Sequence, residues 1–142
     1  MGQTTRPGCA LGLDLGDARI GVAISDEDRR MAVPLGTIHT GAPSDLKAIA
    51  AMVLDHEATV VVLGLPMSLS GERGPAAAKA EAFADALRSV LSVPVELQDE
   101  RFSTVEAERL LRAAGVTGRE RRTVVDESAA TIILQAWLDG HR

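Results

Sequence analysis

The chain has 142 residues, 46% hydrophobic and 25% charged. This fits one folded domain whose core removes about 70% of the unfolded surface from water. No apolar run approaches the ~20 residues of a membrane-spanning helix; with a polar start lacking a signal-peptide core and Cys9 as the single cysteine, a reduced cytoplasmic protein with no membrane partner is expected. A net charge of −5 and an aromatic content of one Trp, two Phe and no Tyr argue against a broad basic surface or a stacking platform for single strands, yet every cationic residue except Lys47 and Lys79 is arginine, the side chain suited to bidentate phosphate contacts.

Residues 1–8 read as a flexible tail, and residues 9–140 as a single domain. Leu11, Leu13 and Leu15 alternate with Gly12, Asp14 and Gly16, the two-residue period of a strand. After a turn containing Gly16 and Asp17, Ile20, Val22 and Ile24 alternate with Gly21, Ala23 and Ser25, so the two runs form a β-hairpin. One face is branched and apolar; the other is small except for Asp14. Met31 to His39 is predicted as a third strand with Val33, Leu35 and Thr37 on one side, and Pro34 points to an edge position or an irregularity.

Ser44 is predicted to cap a helix with Leu46, Ile49, Ala50, Val53 and Leu54 on one face. Thr59 to Leu65 is continuously apolar, as in a central strand buried on both faces. Ala76 to Leu91 is predicted as a second helix, with Ala80, Phe83, Ala84, Leu87, Val90 and Leu91 inward, and Val93 to Gln98 as a fifth strand parallel to the fourth. Ser103-Thr104-Val105-Glu106 has the order of a capping box, opening a helix that ends at Gly115. A polar loop from Val116 to Thr123 then leads to a last helix from about Val124 to Leu138. The expected fold class is α/β: a five-stranded mixed sheet, three strands antiparallel and then two parallel, flanked by helices.

An ionised carboxylate within an apolar strand is costly unless a cation, a backbone donor or a metal offsets it. Asp14 is such a group, and the small residues beside it leave room for a charged partner; the alternative is a hydrogen-bonded structural aspartate. Asp99-Glu100-Arg101 closes the fifth strand, where ligand sites collect in α/β sheets, although Glu100 alone reads equally well as a surface ion pair with Arg101. Asp126 opens the last helix; alone it reads as an acid stabilised by the helix dipole. Three carboxylates converging from separate elements repel one another, and a divalent cation removes that penalty. Hard oxygen ligands suit Mg²⁺ or Mn²⁺, and two such ions can activate water and stabilise a leaving oxygen in phosphodiester hydrolysis.

Gly12-Leu13-Asp14-Leu15-Gly16, Arg19-Ile20-Gly21-Val22-Ala23, Gly64-Leu65-Pro66, Asp99-Glu100-Arg101-Phe102-Ser103-Thr104 and Asp126-Glu127-Ser128-Ala129-Ala130 occur in that order. In these segments the sequence resembles the YqgF family of RNase H-like nucleases, also described as RuvX-type Holliday junction resolvases and as pre-16S rRNA nucleases. The resemblance spans residues 10 to 139. It implies an RNase H-like fold and two Mg²⁺ or Mn²⁺ ions held by Asp14, Glu100 and Asp126 as catalytic acids. Strand alternation points Asp99 the other way.

Arg19 and Arg101 match family positions and are expected to contact substrate phosphates or organise the site. Ser68 and Ser70 lie in a segment that matches a family loop near the site. Arg119, Arg121 and Arg122 precede the helix bearing Asp126 and are expected to bind flanking phosphates. The expected partner is nucleic acid, either structured precursor ribosomal RNA trimmed at its 5′ end or branched DNA. Because the apolar stripes are all needed to cover the sheet, a monomer or weak homodimer is expected. A nucleotide-binding module of the sugar kinase, actin and Hsp70 type also opens on an Asp-x-Gly hairpin, but it needs a second such domain. A non-catalytic interaction domain would be expected to lose one of the three acids.

Overall fold

A computed structural model describes residues 6–67, 74–99 and 118–141, with residues 118–128 described as backbone alone. The elements are β1 (Ala10–Leu15), β2 (Arg19–Ser25), β3 (Ala32–His39), α1 (Ser44–Asp55), β4 (Val60–Leu65), α2 (Pro75–Val90), β5 (Val95–Asp99) and α3 (Gly118–Gly140). The strands form one sheet in the order β3-β2-β1-β4-β5. β1 pairs antiparallel with β2, and β2 with β3; β1 with β4 and β4 with β5 are parallel. This is the mixed α/β sheet expected from the sequence. No helix among the described residues is long and apolar enough to cross a membrane.

Strand alternation divides the core in two. Leu11, Leu13, Ile20, Val22, Val61 and Leu63 pack on the face covered by Ile49 and Val53 of α1 and by Ala80, Ala84 and Leu87 of α2. Ala10, Ala23, Val60 and Val62 lie on the opposite face, against Ala130, Ile133, Leu134, Trp137 and Leu138 of α3. The small face of the hairpin is what admits α3 so closely. A Cβ at Gly12 would stand 2.7 Å from Leu134 Cβ and 3.3 Å from the Ala130 carbonyl oxygen.

Several local expectations differ from the structure. On β3, Val33, Leu35 and Thr37 do not share a face: a register shift between Val22 and Ala23 places Gly36 opposite Val22 and Pro34 opposite Ala23, so Leu35 and Ile38 are the residues that pack inward. Pro34 is tolerated because β3 is the edge strand. Leu54, 75% exposed, and Val90, 51% exposed, point outward at the last turns of α1 and α2. Ser44 is not a cap: Pro43 occupies the N-cap position and makes no side-chain bond.

Residues 118–123, expected as loop, belong to α3. Thr117-Gly118-Arg119-Glu120 has capping-box order, and Arg and Glu are good helix formers. The predicted helix from Ser103 to Gly115 lies outside the described residues, as do residues 1–5 of the expected tail. Pro7 and Gly8 are bonded to the fold through Thr59 Oγ1, which donates to the Pro7 carbonyl, and through the Gly8 amide, which donates to Glu27 O.

Two tests follow from this packing. Gly12→Val should overpack the β1–α3 contact and destabilise the protein by about 1–3 kcal/mol in urea denaturation. Asp26 closes the β2–β3 turn by accepting bonds from the Arg30 and Met31 amides at 2.8 and 2.9 Å. These bonds, that from Met31 foremost, hold its carboxyl below the usual carboxylate range. A group with a depressed folded pKa stabilises above its unfolded pKa, about 4, and loses that contribution as pH falls through the folded value. The stability deficit of Asp26→Ala, measured in urea, should therefore be full at pH 7 and shrink towards pH 3.

Candidate active site

The carboxyl ends of the three parallel strands β1, β4 and β5 lie at one end of the sheet, where Leu13 is in register with Leu63, and Leu63 with Leu97. One residue further along this row stand Asp14, Gly64 and Gln98, and on the other side Gly21 lies directly opposite Asp14. Asp14 is half-buried and shares the α3 face with Gly12 by alternation. Both strands flanking it place a glycine beside it, so no neighbouring Cβ crowds the carboxylate. Arg19 occupies the same face two residues from Gly21, diagonal to Asp14, and pairs across the sheet with His39.

α3 runs antiparallel to β1. Its Ala130 and Leu134 pack over Gly12, while Trp137, nearer the other end of the helix, donates through Nε1 to Glu96 Oε1 at 3.3 Å and lies under the Arg29 guanidinium. Arg29 in turn donates to the carbonyl of Gly8, just before β1 begins. Asp126 is one helical turn before Ala130, hence on the same face and about 6 Å further along the axis. The two residues from Gly12 to Asp14 cover about 6.8 Å. The backbones of Asp14 and Asp126 are thus brought to one level on one side of the sheet.

Positions 119 and 122 fall on the helix face of position 126, whereas position 121 falls across from it. These three arginines therefore stand on a helix and not in the expected loop, with Arg119 and Arg122 grouped with Asp126. Glu100, Arg101, Ser68 and Ser70 lie outside the described residues. Asp99, the last residue of β5, alternates with Glu96 and Gln98 and so belongs to the face opposite α3, as expected. Among the described residues no three His, Cys, Asp or Glu side chains gather as a metal site, because Asp14 is the one candidate acid whose side chain is described.

A cavity of about 380 Å³ opens beside the β1–β2 turn, with Leu15, Thr40, Ala80 and Phe83 among its walls. It lies on the α2 face, across the sheet from Asp14, and is mainly apolar; it is not the acid site. Lys79 of α2 bonds Asp17 at its rim at 2.9 Å, which holds the Asp17 carboxyl below the usual range. Thr40, which touches the turn directly, and the buried Asp45 escaped the sequence reading. The Thr40 bonds join segments far apart in the chain, and the Asp45 bonds are local, to Gly41 and Leu46; neither leaves a periodic trace.

Comparison with known proteins fits this geometry. The family model RuvX, described as Holliday junction resolvase, matches residues 8–140. A protein of Anaeromyxobacter dehalogenans (strain 2CP-C) named "Putative pre-16S rRNA nuclease" is 50% identical over 130 residues, covering 91% of this chain and 95% of the relative. One of the same name from Thermobifida fusca (strain YX) is 50% identical over 145 residues, covering 96% of this chain and 91% of the relative. Among solved structures, T. thermophilus RuvC in complex with Holliday junction substrate superposes with a TM-score of 0.54 at 15% identity, over 94% of this chain and 95% of that one, a likeness of fold. With its small-faced hairpin, its acid in mid-strand and a family match over nearly its full length, the chain belongs to the RuvX family.

Proposed function

We propose that this protein is a divalent-metal-dependent nuclease, with Asp14, Glu100 and Asp126 as its metal-holding catalytic acids. The observation that carries the reading is the half-buried Asp14 between two glycines, level with the Asp126 backbone on the α3 face. A carboxylate so placed, with the backbone of a second acid at its level, is far less costly if a cation is shared between the two. An all-carboxylate oxygen donor set fits Mg²⁺ or Mn²⁺, and two ions would supply activation of water and neutralisation of charge on the leaving oxygen. The chain's own part is to hold the acids on rigid elements and to bind the backbone on either side of the cut. Arg19 on the Asp14 face, and Arg119 and Arg122 on the helix face of Asp126, are suited to phosphate contacts; Arg101, Ser68 and Ser70 complete the proposed nucleic-acid surface, while Arg121, expected there from the sequence, falls across the helix.

The substrate we favour is the 5′ end of precursor small-subunit ribosomal RNA, in the cytoplasm, as the names of the relatives suggest. Branched DNA is the second reading, favoured by the description of the family. Symmetric resolution of a four-way junction needs two sites related by a two-fold axis. The large exposed apolar side chains among the described residues, Met31, Val33, Leu54 and Val90, come from the β2–β3 turn, β3, α1 and α2, which supports a monomer or weak homodimer and the RNA reading.

Asp14→Asn, Glu100→Gln and Asp126→Asn should each abolish most Mg²⁺- or Mn²⁺-dependent cleavage of both substrates while leaving the thermal transition in place. A folded Asp14→Asn protein that cleaves at the wild-type rate would show the site assignment to be wrong. Separately, replacing Arg119 and Arg122 together by Ala should weaken nucleic-acid binding whatever the sequence. The slope of log affinity against log salt should then fall by about one unit per lost phosphate contact on duplex. Arg121→Ala, across the helix, should leave that slope nearly unchanged; equal effects from both variants would remove the face assignment.

A further inference from the structure

We propose that Thr40, held in place by the buried Asp45, is a positioning residue for the acid site: it clamps the β1–β2 turn and so fixes Asp14 and Arg19 relative to each other. The inference rests on the nuclease reading of Asp14. The turn residues Gly16, Asp17 and Ala18 separate the two functional positions, Asp14 lying two residues before Gly16 and Arg19 immediately after Ala18. The Thr40 amide donates to the Ala18 carbonyl at 3.0 Å, and Thr40 Oγ1 donates to the Gly16 carbonyl at 2.9 Å. One residue thus grips the turn on both sides of Asp17. The Gly16 amide closes the same turn by donating to the Arg19 carbonyl at 2.9 Å. From α2, the Lys79–Asp17 pair reaches the turn as well, but both side chains are largely exposed, and such pairs contribute little.

Thr40 is itself anchored. Asp45 is only 2% exposed, the one charged side chain among the buried described residues. Its Oδ2 accepts from the Gly41 amide at 3.0 Å and its Oδ1 from the Leu46 amide at 2.7 Å, while its own amide donates to the Gly41 carbonyl at 3.1 Å. A helix-capping acid would satisfy amides further into its own first turn. Asp45 instead reaches back to the residue after Thr40, where the chain turns at Gly41 with φ +147°. Burial of a carboxylate is offset here by bonds that fix the loop from which Thr40 reaches the turn. Reactions that depend on group positioning are sensitive to displacements of about 1 Å, which can cost about 10²-fold in rate.

The test compares Thr40→Val, which removes the hydroxyl donor and keeps the size and the amide, with Thr40→Ser, which retains the donor. Single-turnover cleavage is measured at saturating Mg²⁺, substrate Kd without metal, the thermal transition, and hydrogen exchange at the Gly16 amide. Thr40→Val should cleave about tenfold more slowly, with substrate Kd within about twofold of wild type and faster exchange at Gly16; Thr40→Ser should restore both. Asp45→Asn should reduce the rate in the same direction, and it decides the matter if Thr40→Val is too unstable to assay. A wild-type rate in Thr40→Val or Asp45→Asn overturns the inference alone, as does a loss that Ser fails to restore or that follows weakened substrate binding. Wild-type protein that cleaves neither precursor ribosomal RNA nor junction DNA overturns the nuclease reading and this inference with it.

Discussion

The close approach of α3 to β1 at Gly12 is the contact on which the rest of the structure depends. Leu134 Cβ occupies space that any side chain at position 12 would claim. The depth of that contact lets Ile133, Leu134, Trp137 and Leu138 bury themselves against the sheet, each worth roughly 1.5–3 kcal/mol of transfer free energy. The alternation that gives Gly12 to this face gives Asp14 to it as well. The helix that seals the second core is therefore the helix whose amino-terminal half carries Asp126 to the level of Asp14. Core and candidate site are two consequences of one two-residue period.

That period is why so much could be read directly from the sequence. The hairpin, the fully apolar β4 and the amphipathic α2 announce themselves through local repetition, and the sheet follows from their order. Asp14 was legible as a candidate because a charge in an apolar strand beside glycines has few structural uses. What failed to show has a common cause. The shift of register at Val22 and Ala23 depends on how β3 meets β2, and it sets Thr37, opposite Gly21, on the other face from Val33, opposite Ile24. Whether Leu54 and Val90 are covered depends on what packs against the last turns of α1 and α2. The Thr40–Gly16 bond depends on segments that meet only in the fold, and the Asp45–Gly41 bond, though local, follows neither a strand nor a helix period. The start of α3 at Gly118 was the exception, since its capping pattern lies in the sequence and was outweighed by polarity and a glycine.

The net charge of −5 also takes on a more specific meaning once the elements are placed. At the amino-terminal end of β1 the charges are arranged in pairs: Arg6 contacts Glu27 and Asp28, and Glu96 meets Trp137 and His141. These three acids thus stand at the end of the sheet remote from Asp14. A polyanionic substrate approaching the carboxyl ends of β1, β4 and β5 need not cross that cluster, and the arginine positions of α3 and β2 lie at the end it would reach. Overall charge is a weak guide to nucleic-acid binding when the residues that meet the substrate are few and locally placed.

A site assembled from a strand, a second strand end and a helix can be no better defined than the restraint on each element. β1 is held on both sides by paired strands. α3 is a rod of 23 residues, about 34 Å long, so fixing two points on it fixes the rest. Gly12 and Leu134 supply one. The other is the cluster at its carboxyl end, where Trp137 stacks on the His141 ring and meets the Arg29 guanidinium, and Arg29 is itself bonded to Gly8 and Thr59. The aromatic side chain farthest along the helix from Asp126 thereby helps to determine where Asp126 stands. Residues at the remote end of the sheet bear on the proposed acid site through rigid geometry alone, without contact with its candidate acids.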